Sequence, residues 1–427
     1  MIVVKGKITA YILNIRKGPG TSYAKTGDVC KKNDVVNITG QQKNGSTIWY
    51  SIGPAQWISG KYVTIIQDTN NNEIVITPSM SITRIQEYLK KAGHTIRFTK
   101  GSYKITKQLK LYSDTTIILD KGAELIRYCT NPMLMTYVNP NVDYNFNATK
   151  NITIKGDGSL VGHGLKVTGT ILTIFHSSNF RIEGIHFKGV YKSHAIDIAG
   201  SEKVHIKDVS FSGRIINLEK PVKEEIQYDF AYYSGIPYFL KNAKVYNGNH
   251  CRDIVIENCS FQDSNTCIGT HTETASNKKH TNICVKGCKA KGIGLVNGEG
   301  TFLTLINIDG AEIKDNEISN FARGIEINAC SVFYDNSSRR IESLPKGKTG
   351  CKNIIIDGNT IRDAKGTFKA SGVYISSRRD DIQHFNIVLR NHTSKLNNAD
   401  AVYDVFSDHA ELSITGQNDL KLKIKKK

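Results

Sequence analysis

Proline is scarce in this chain, with 8 in 427 residues, and tryptophan is scarcer, with 2. No stretch of 18 consecutive apolar residues occurs, which excludes a membrane-spanning helix as an expectation. The nine cysteines are odd in number and irregular in spacing. Cys284 and Cys288 stand four apart and form no C-x-x-C pair, so neither a disulfide framework nor a zinc ribbon is expected, and the cysteines read as small core residues. Acidic residues are in deficit, 39 against 57 basic, for a net charge of +18. Such a surface suits an anionic partner. The chain has no zinc-finger spacing, no RNP-like motif and no basic helix with a heptad zipper, so nucleic acid is not the partner expected. The first twenty residues also lack the apolar core and small-residue cleavage site of a signal peptide. The expectation is a trimmed signal or export by another route, such as with a phage particle.

Glycine is plentiful, at 36, and Asn, Thr, Ile and Val recur throughout. That mixture favours strands broken by tight turns, and 427 residues exceed one ordinary compact domain. The charged fraction of 22% against 39% hydrophobic residues describes a folded, soluble chain.

Residues 1–66 alternate short apolar runs with G-P, N-G and S-G turn signals, the pattern of a small all-β barrel. The order L-N-x-R-x-G-P-G from Leu13, then Trp49–Tyr50, then W-I-S-G-K-Y-V from Trp57 closely resembles bacterial SH3 domains. That resemblance implies binding to peptidoglycan or another wall component. Nine basic residues against two acidic ones in this segment suit an anionic wall. Tyr23, Trp49, Tyr50, Trp57 and Tyr62 could supply ligand-facing rings, with Trp49 and Trp57 read first as barrel core.

The polar run 67–73 opens a linker read as residues 67–80. Ile82, Ile85, Tyr88 and Leu89 then recur at helical spacing behind Ser81 as N-cap and before Gly93. Repeats of the form N/D-φ-x-I-x-x-x-x-F/L follow, starting at Asn151, Asn179, Glu202, Cys251, His280, Ala311, Cys351 and His384. Second strands lie between them: HAIDIAG, EEIQYDF, CIGTHTE, GIGLVNG, RGIEINA and SGVYISS. One such unit cannot bury its own apolar face, so neighbours must stack. The helix with the short strands after it resembles the N-terminal cap of pectate-lyase-like proteins, shared by phage tailspikes and many polysaccharidases. The expected fold is all-β: an SH3-like barrel, then a right-handed parallel β-helix over 81–427 with an N-terminal capping helix. Long insertions at 213–250 and 329–350 mark the side of a binding groove.

Placing the isoleucines of the second strands inward turns Asp197, Glu225, Gln227, Asp229, Gly269, His271 and Glu326 outward. Neighbouring coils stand about 4.8 Å apart, so these side chains are expected to line one outer ladder. Glu225, Asp229, His271 and Asp197 are the candidate catalytic residues, because paired carboxylates across coils span the separations that glycoside hydrolysis uses. Tyr232, Tyr233 and Tyr238 from the insertion, with Arg323, Glu326 and His194, are the candidate substrate-binding residues. His163 and His176 are secondary candidates. No metal site is expected; H-x-E at His271 and Glu273 is a weak motif in isolation.

The expected function is carboxylate-based cleavage of a polysaccharide by a wall-targeted enzyme. Two alternatives stand beside it. One is a polysaccharide lyase, with Arg323, His271 or a lysine as base and Ca²⁺ as its cofactor. The other is a non-catalytic adhesin or phage receptor-binding protein. The ordered signatures of polygalacturonases and pectate lyases are absent; G-H-G stands at Gly162–Gly164 without its partners. The partners expected are a polysaccharide and the bacterial cell wall, with no membrane, and the location is extracellular, wall-associated or phage-borne.

Overall fold

The computed structural model describes residues 4–66, 73–165, 168–215, 223–270, 273–275, 278–293, 300–329, 332–334, 340–341, 350–363, 371–377, 384–396, 403–408, 410–416 and 421–425. The chain divides into two compact units, Met1–Val75 and Ile76–Lys427. Glu73–Ile76, inside the segment read as linker, is a strand.

The first unit is an antiparallel barrel of a three-stranded and a five-stranded sheet. Ile8, Leu13, Ile15, Cys30 and Ile58 form its core. The R-x-G-P-G motif closes on itself here. Arg16 donates to the carbonyls of Thr21 and Tyr23, at 2.8 Å each. A Cβ at Gly18 would lie 2.2 Å from the Tyr23 ring, so only glycine lets the loop pack. Trp49 is core, whereas Trp57 is half-buried and Tyr23 and Tyr62 are exposed.

The second unit is a parallel β-helix whose strands stack into three long sheets of twelve, ten and eleven strands. It begins with the helix Ile82–Leu89, capped by the Ser81 side chain accepting from the Arg84 amide at 3.3 Å. Gln86 on this helix accepts from the Lys110 amide at 2.7 Å and donates to the Lys110 carbonyl at 3.1 Å. Lys110 lies on Leu109–Leu111, the end strand of the third sheet. The Gln86 side-chain amide thereby stands in for the missing neighbouring peptide on an otherwise open sheet edge.

The repeats each place a strand in the first sheet. Ile154, Ile182, Ile206, Ile256, Val285, Ile313, Ile356 and Leu389 occupy successive registers, all buried. The asparagine opening many repeats has a positive φ, as at Asn151 (55°), Asn179 (53°), Asn282 (56°), Asn353 (57°) and Asn386 (50°). Asparagine tolerates this left-handed backbone better than most residues. Its amide also reaches the coil before: Asn179 donates to Asn151 Oδ1 at 2.8 Å and Asn386 to Asn353 Oδ1 at 2.9 Å.

The second strands HAIDIAG, EEIQYDF, RGIEINA and SGVYISS fall in the third sheet, and the opening residues of CIGTHTE do so on the strand Thr266–Gly269. GIGLVNG is a correction: residues 294–299 lie outside the described residues, and the third-sheet strand of that coil is Thr301–Ile306. Each coil also holds a short strand of the second sheet, whose inward Phe187, Phe211 and Phe261 stack at 5.2 and 4.8 Å. The eight described cysteines are free thiols, seven of them buried, as small core residues. Among the described residues no helix is long and apolar enough to cross a membrane.

Candidate functional site

The outer face of the third sheet carries the predicted ladder, with one change of membership. Register pairing runs Thr173–Asp197–Gln227–Gly269 and, further along, Thr304–Glu326–Tyr374–Phe406. Asp229 belongs to the adjacent row, level with Ala199. Asp197 and Asp229 are therefore diagonal neighbours, one rung and two residues apart, with backbones about 8 Å from each other. Glu326 is four rungs from Asp197, about 19 Å, too far to act on the same bond.

Asp197 and Asp229 are each 2% exposed. Gln227 donates its side-chain amide to Asp229 Oδ2 at 2.6 Å. The insertion closes over this carboxylate, and a Cβ at Gly235 would come within 2.7 Å of Asp229 Oδ2. Tyr238 brings its hydroxyl to 3.3 Å from Thr170 Oγ1. Burial pushes the Tyr238 phenol well up, and the nearby Asp197 charge raises it further. Tyr238 thus stays a neutral hydroxyl beside Asp197.

Glu225 does not join the ladder. It is 1% exposed and receives Arg214 Nε at 2.6 Å and the Ser264 hydroxyl at 3.1 Å. Arg214 also donates to the carbonyls of Ser193 and Glu224, so the pair stitches two coils together. Such a buried ion pair occupies the Glu225 carboxylate with fixed partners. Its sequence neighbour Glu224 takes the place expected for it: a Cβ at Gly269 would lie 3.0 Å from Glu224 Cγ, and Glu224 Oε2 stands 3.6 Å from His194 Nδ1. His194 is buried, with Nδ1 3.0 Å from the Glu224 carbonyl. His271 lies outside the described residues.

The insertion packs its apolar residues on the sheet rather than holding them all open. Ile236, Val245 and Tyr246 cluster with Met135, Phe175 and Ala199, and Tyr233, Tyr238 and Phe239 lean on that cluster. Tyr232 is 1% exposed against Phe230, so its ring has no open face for a sugar. Tyr233 is half-buried, edge-on to Tyr246 at 5.6 Å. His176 joins the insertion to the sheet, its ring nitrogens 2.7 Å from the Val245 carbonyl and 2.9 Å from the Asn145 carbonyl. Further along the sheet, Arg323 meets Glu326 at 2.6 Å and lies over the Tyr374 ring at 4.3 Å; Tyr374 stacks on Phe406 at 5.0 Å.

The inward-outward alternation located Asp197, Gln227, Asp229 and Glu326 on the outer face. It missed Arg214, which lies in a loop with no repeat signal, and therefore misread Glu225. Among the described residues no three His, Cys, Asp or Glu side chains converge as a metal set.

Residues 13–64 match the bacterial SH3 domain family. Over 223 residues, 45% of this chain, the sequence is 27% identical to plasmin and fibronectin-binding protein A of Streptococcus pneumoniae (strain ATCC BAA-255 / R6). The match spans 30% of that protein, so the chain covers about a third of the length of this curated relative. The fold is similar to that of the S. pneumoniae surface protein and adhesin PfbA, at 18% identity and a TM-score of 0.56, covering 82% of this chain and all of that one. It is also similar to a family 28 exopolygalacturonase of Yersinia enterocolitica (11% identity, TM-score 0.51, 88% of this chain and 81% of that one). A third is a tailspike protein mutant of E. coli bacteriophage HK620 in complex with a pentasaccharide (10% identity, TM-score 0.55, 86% and 67%). These likenesses identify the solenoid as a parallel β-helix.

Proposed function

We propose that this chain is a carbohydrate-active surface protein: the SH3 unit grips the bacterial wall, and the third sheet's outer face binds and hydrolyses a polysaccharide. The observation that carries the reading is the diagonal pair Asp197 and Asp229, two outward carboxylates on neighbouring strands beside a long insertion. Two carboxyl groups on adjacent rungs suit glycoside hydrolysis, which uses one as acid and the other as base or nucleophile.

The surroundings divide the two roles. Gln227 donates to Asp229 and so favours its charged form, which suits the base that activates water. Asp197, one rung away on the same face, is the remaining carboxyl of the pair and takes the leaving-oxygen side. His194 and Glu224 border the same stretch. Arg323 and Glu326 would hold more distant sugars, about 14–19 Å along the sheet. His271 remains a candidate contributor by its place in the chain.

A second reading is a glycan-binding adhesin without turnover. It is favoured by the number of carboxylates already held by fixed partners, Glu225 by Arg214 and Glu326 by Arg323, and by the likeness to a surface adhesin. The deciding experiment incubates the protein with neutral and acidic polysaccharides and with bacterial walls. New reducing ends, lost in Asp197→Asn and Asp229→Asn, support the hydrolase. New ultraviolet absorbance from unsaturated ends would replace it with a lyase. Retention on glycan with no product would leave the adhesin.

A further inference from the structure

Two open cavities on the outer face of the second sheet lie apart from the carboxylate site. One, of about 590 Å³, is lined by Lys100, Lys121, Lys188, Glu124 and His186 among others. The other, of about 620 Å³, is lined by Gln262, Lys289, Lys291, Ser319 and Arg362 among others.

The sequence builds this face by alternation. Phe187, Phe211, Phe261, Ala290, Ile318 and Ile361 turn inward and are buried. One outward row then runs Lys188–Ser212, Gln262–Lys291–Ser319–Arg362 in register. It holds cations separated by hydroxyl and amide side chains, and no carboxylate. The parallel row contains Glu124 and Glu317, and each already faces a lysine: Lys188 at 3.7 Å and Lys289 at 3.3 Å. Lys291 and Arg362 are exposed, and neither meets a carboxylate within ion-pairing distance among the described residues. They stand two rungs apart, about 10 Å.

We propose that the outer face of the second sheet is a binding track for a linear anionic polysaccharide, separate from the carboxylate site on the third sheet. The polymer runs along the solenoid axis, its acidic groups on Lys291 and Arg362 and its hydroxyls on Ser212, Gln262 and Ser319. Arg362 supplies a planar fork for carboxylate or phosphate, and Lys291 a point charge. The outward positions of these strands carry no Phe, Tyr or Trp on which nucleobases would stack, which favours a glycan over a single-stranded nucleic acid.

The test measures binding of the full chain to polygalacturonate, a polyol-phosphate teichoic-type polymer, dextran and single-stranded DNA at several salt concentrations. The comparison is between wild type and the Lys291→Ala/Arg362→Ala variant, both of which keep the SH3 unit and the third sheet. We expect the double variant to lose about tenfold or more in affinity for one or both anionic glycans at low salt, with a shallower salt dependence. Loss on polygalacturonate alone identifies the acidic group as carboxylate, and loss on the teichoic-type polymer alone identifies it as phosphate. Equal binding of both glycans by the two proteins overturns the proposal, as does an equal loss for DNA or retention of dextran as tight as the anionic polymers.

Discussion

Gln227 gives its side-chain amide to Asp229 at 2.6 Å, along one strand and on the outer face of the sheet. Two residues of a strand that face the same way are neighbours by geometry alone. Here that neighbourhood sets the electrostatics of the carboxylate closest to the insertion. Replacing Gln227 with Met keeps its length and removes the donor. Under the hydrolase reading, Gln227→Met lowers kcat and moves the acidic limb of the pH–rate profile to higher pH, because the charged form of Asp229 loses a hydrogen bond. Asp197→Asn and Asp229→Asn each lower kcat by about 10²–10⁴ with the fold intact by circular dichroism.

Glu225 behaves differently under mutation. Its pair with Arg214 leaves side-chain exposures of 5% and 2%. Glu225→Gln strands a buried guanidinium and costs about 3–5 kcal/mol, read as a lower midpoint in chemical denaturation. A stable Glu225→Gln protein that has lost turnover would instead return Glu225 to the chemistry.

Two buried histidines contribute to the acid sensitivity of the solenoid. His280 accepts from the Cys251 amide at 3.0 Å, and burial lowers its pKa from 6.5 to about 3. Burial brings His392 to about 4. Both folded values lie below the unfolded value, so the unfolded chain takes up protons first. Their contribution to stability is therefore full above pH about 6.5 and is lost as pH falls, toward 4 for His392 and toward 3 for His280. His280→Gln keeps an acceptor for Cys251 and does not titrate. The difference in unfolding free energy between the two proteins should change over that window, and a constant difference would refute the assignment.

The asparagine ladder separates backbone conformation from hydrogen bonding. Asn179 has φ of 53° and donates to Asn151 at 2.8 Å. Asn179→Ala loses both advantages, for about 1–3 kcal/mol, whereas Asn179→Gly keeps the backbone freedom. The glycine variant should be the more stable of the two in urea titration.

In the SH3 unit, Gly18→Val drives a side chain into the Tyr23 ring, where even a Cβ would sit 2.2 Å away. The variant should fail to sediment with bacterial walls while its solenoid still unfolds at the wild-type temperature.

Much of this architecture was legible because repetition amplifies a weak signal. Asn151, Asn179 and Asn353 each precede the same apolar alternation, and a period-two strand with a left-handed turn before it can stack only on its own kind. The helix at Ile82–Leu89 was equally plain from Ser81 and the spacing of Ile85 and Leu89. The short strands of the second sheet left little trace, since three residues such as Ser210–Ser212 are too few to show a period. Glu225 was misread for a related reason: alternation assigns a face but knows nothing of Arg214 eleven residues earlier.

By itself the sequence determined the SH3 unit, the β-helix and the face on which Asp197, Asp229 and Glu326 lie, because strand periodicity is a local property of the chain. Tertiary structure alone decided which of those carboxylates are neighbours. Rung number, not sequence distance, separates Asp197 from Glu326, and a loop arginine removes Glu225 from the ladder. Coil lengths that vary with each insertion set those rungs, and no local pattern encodes them.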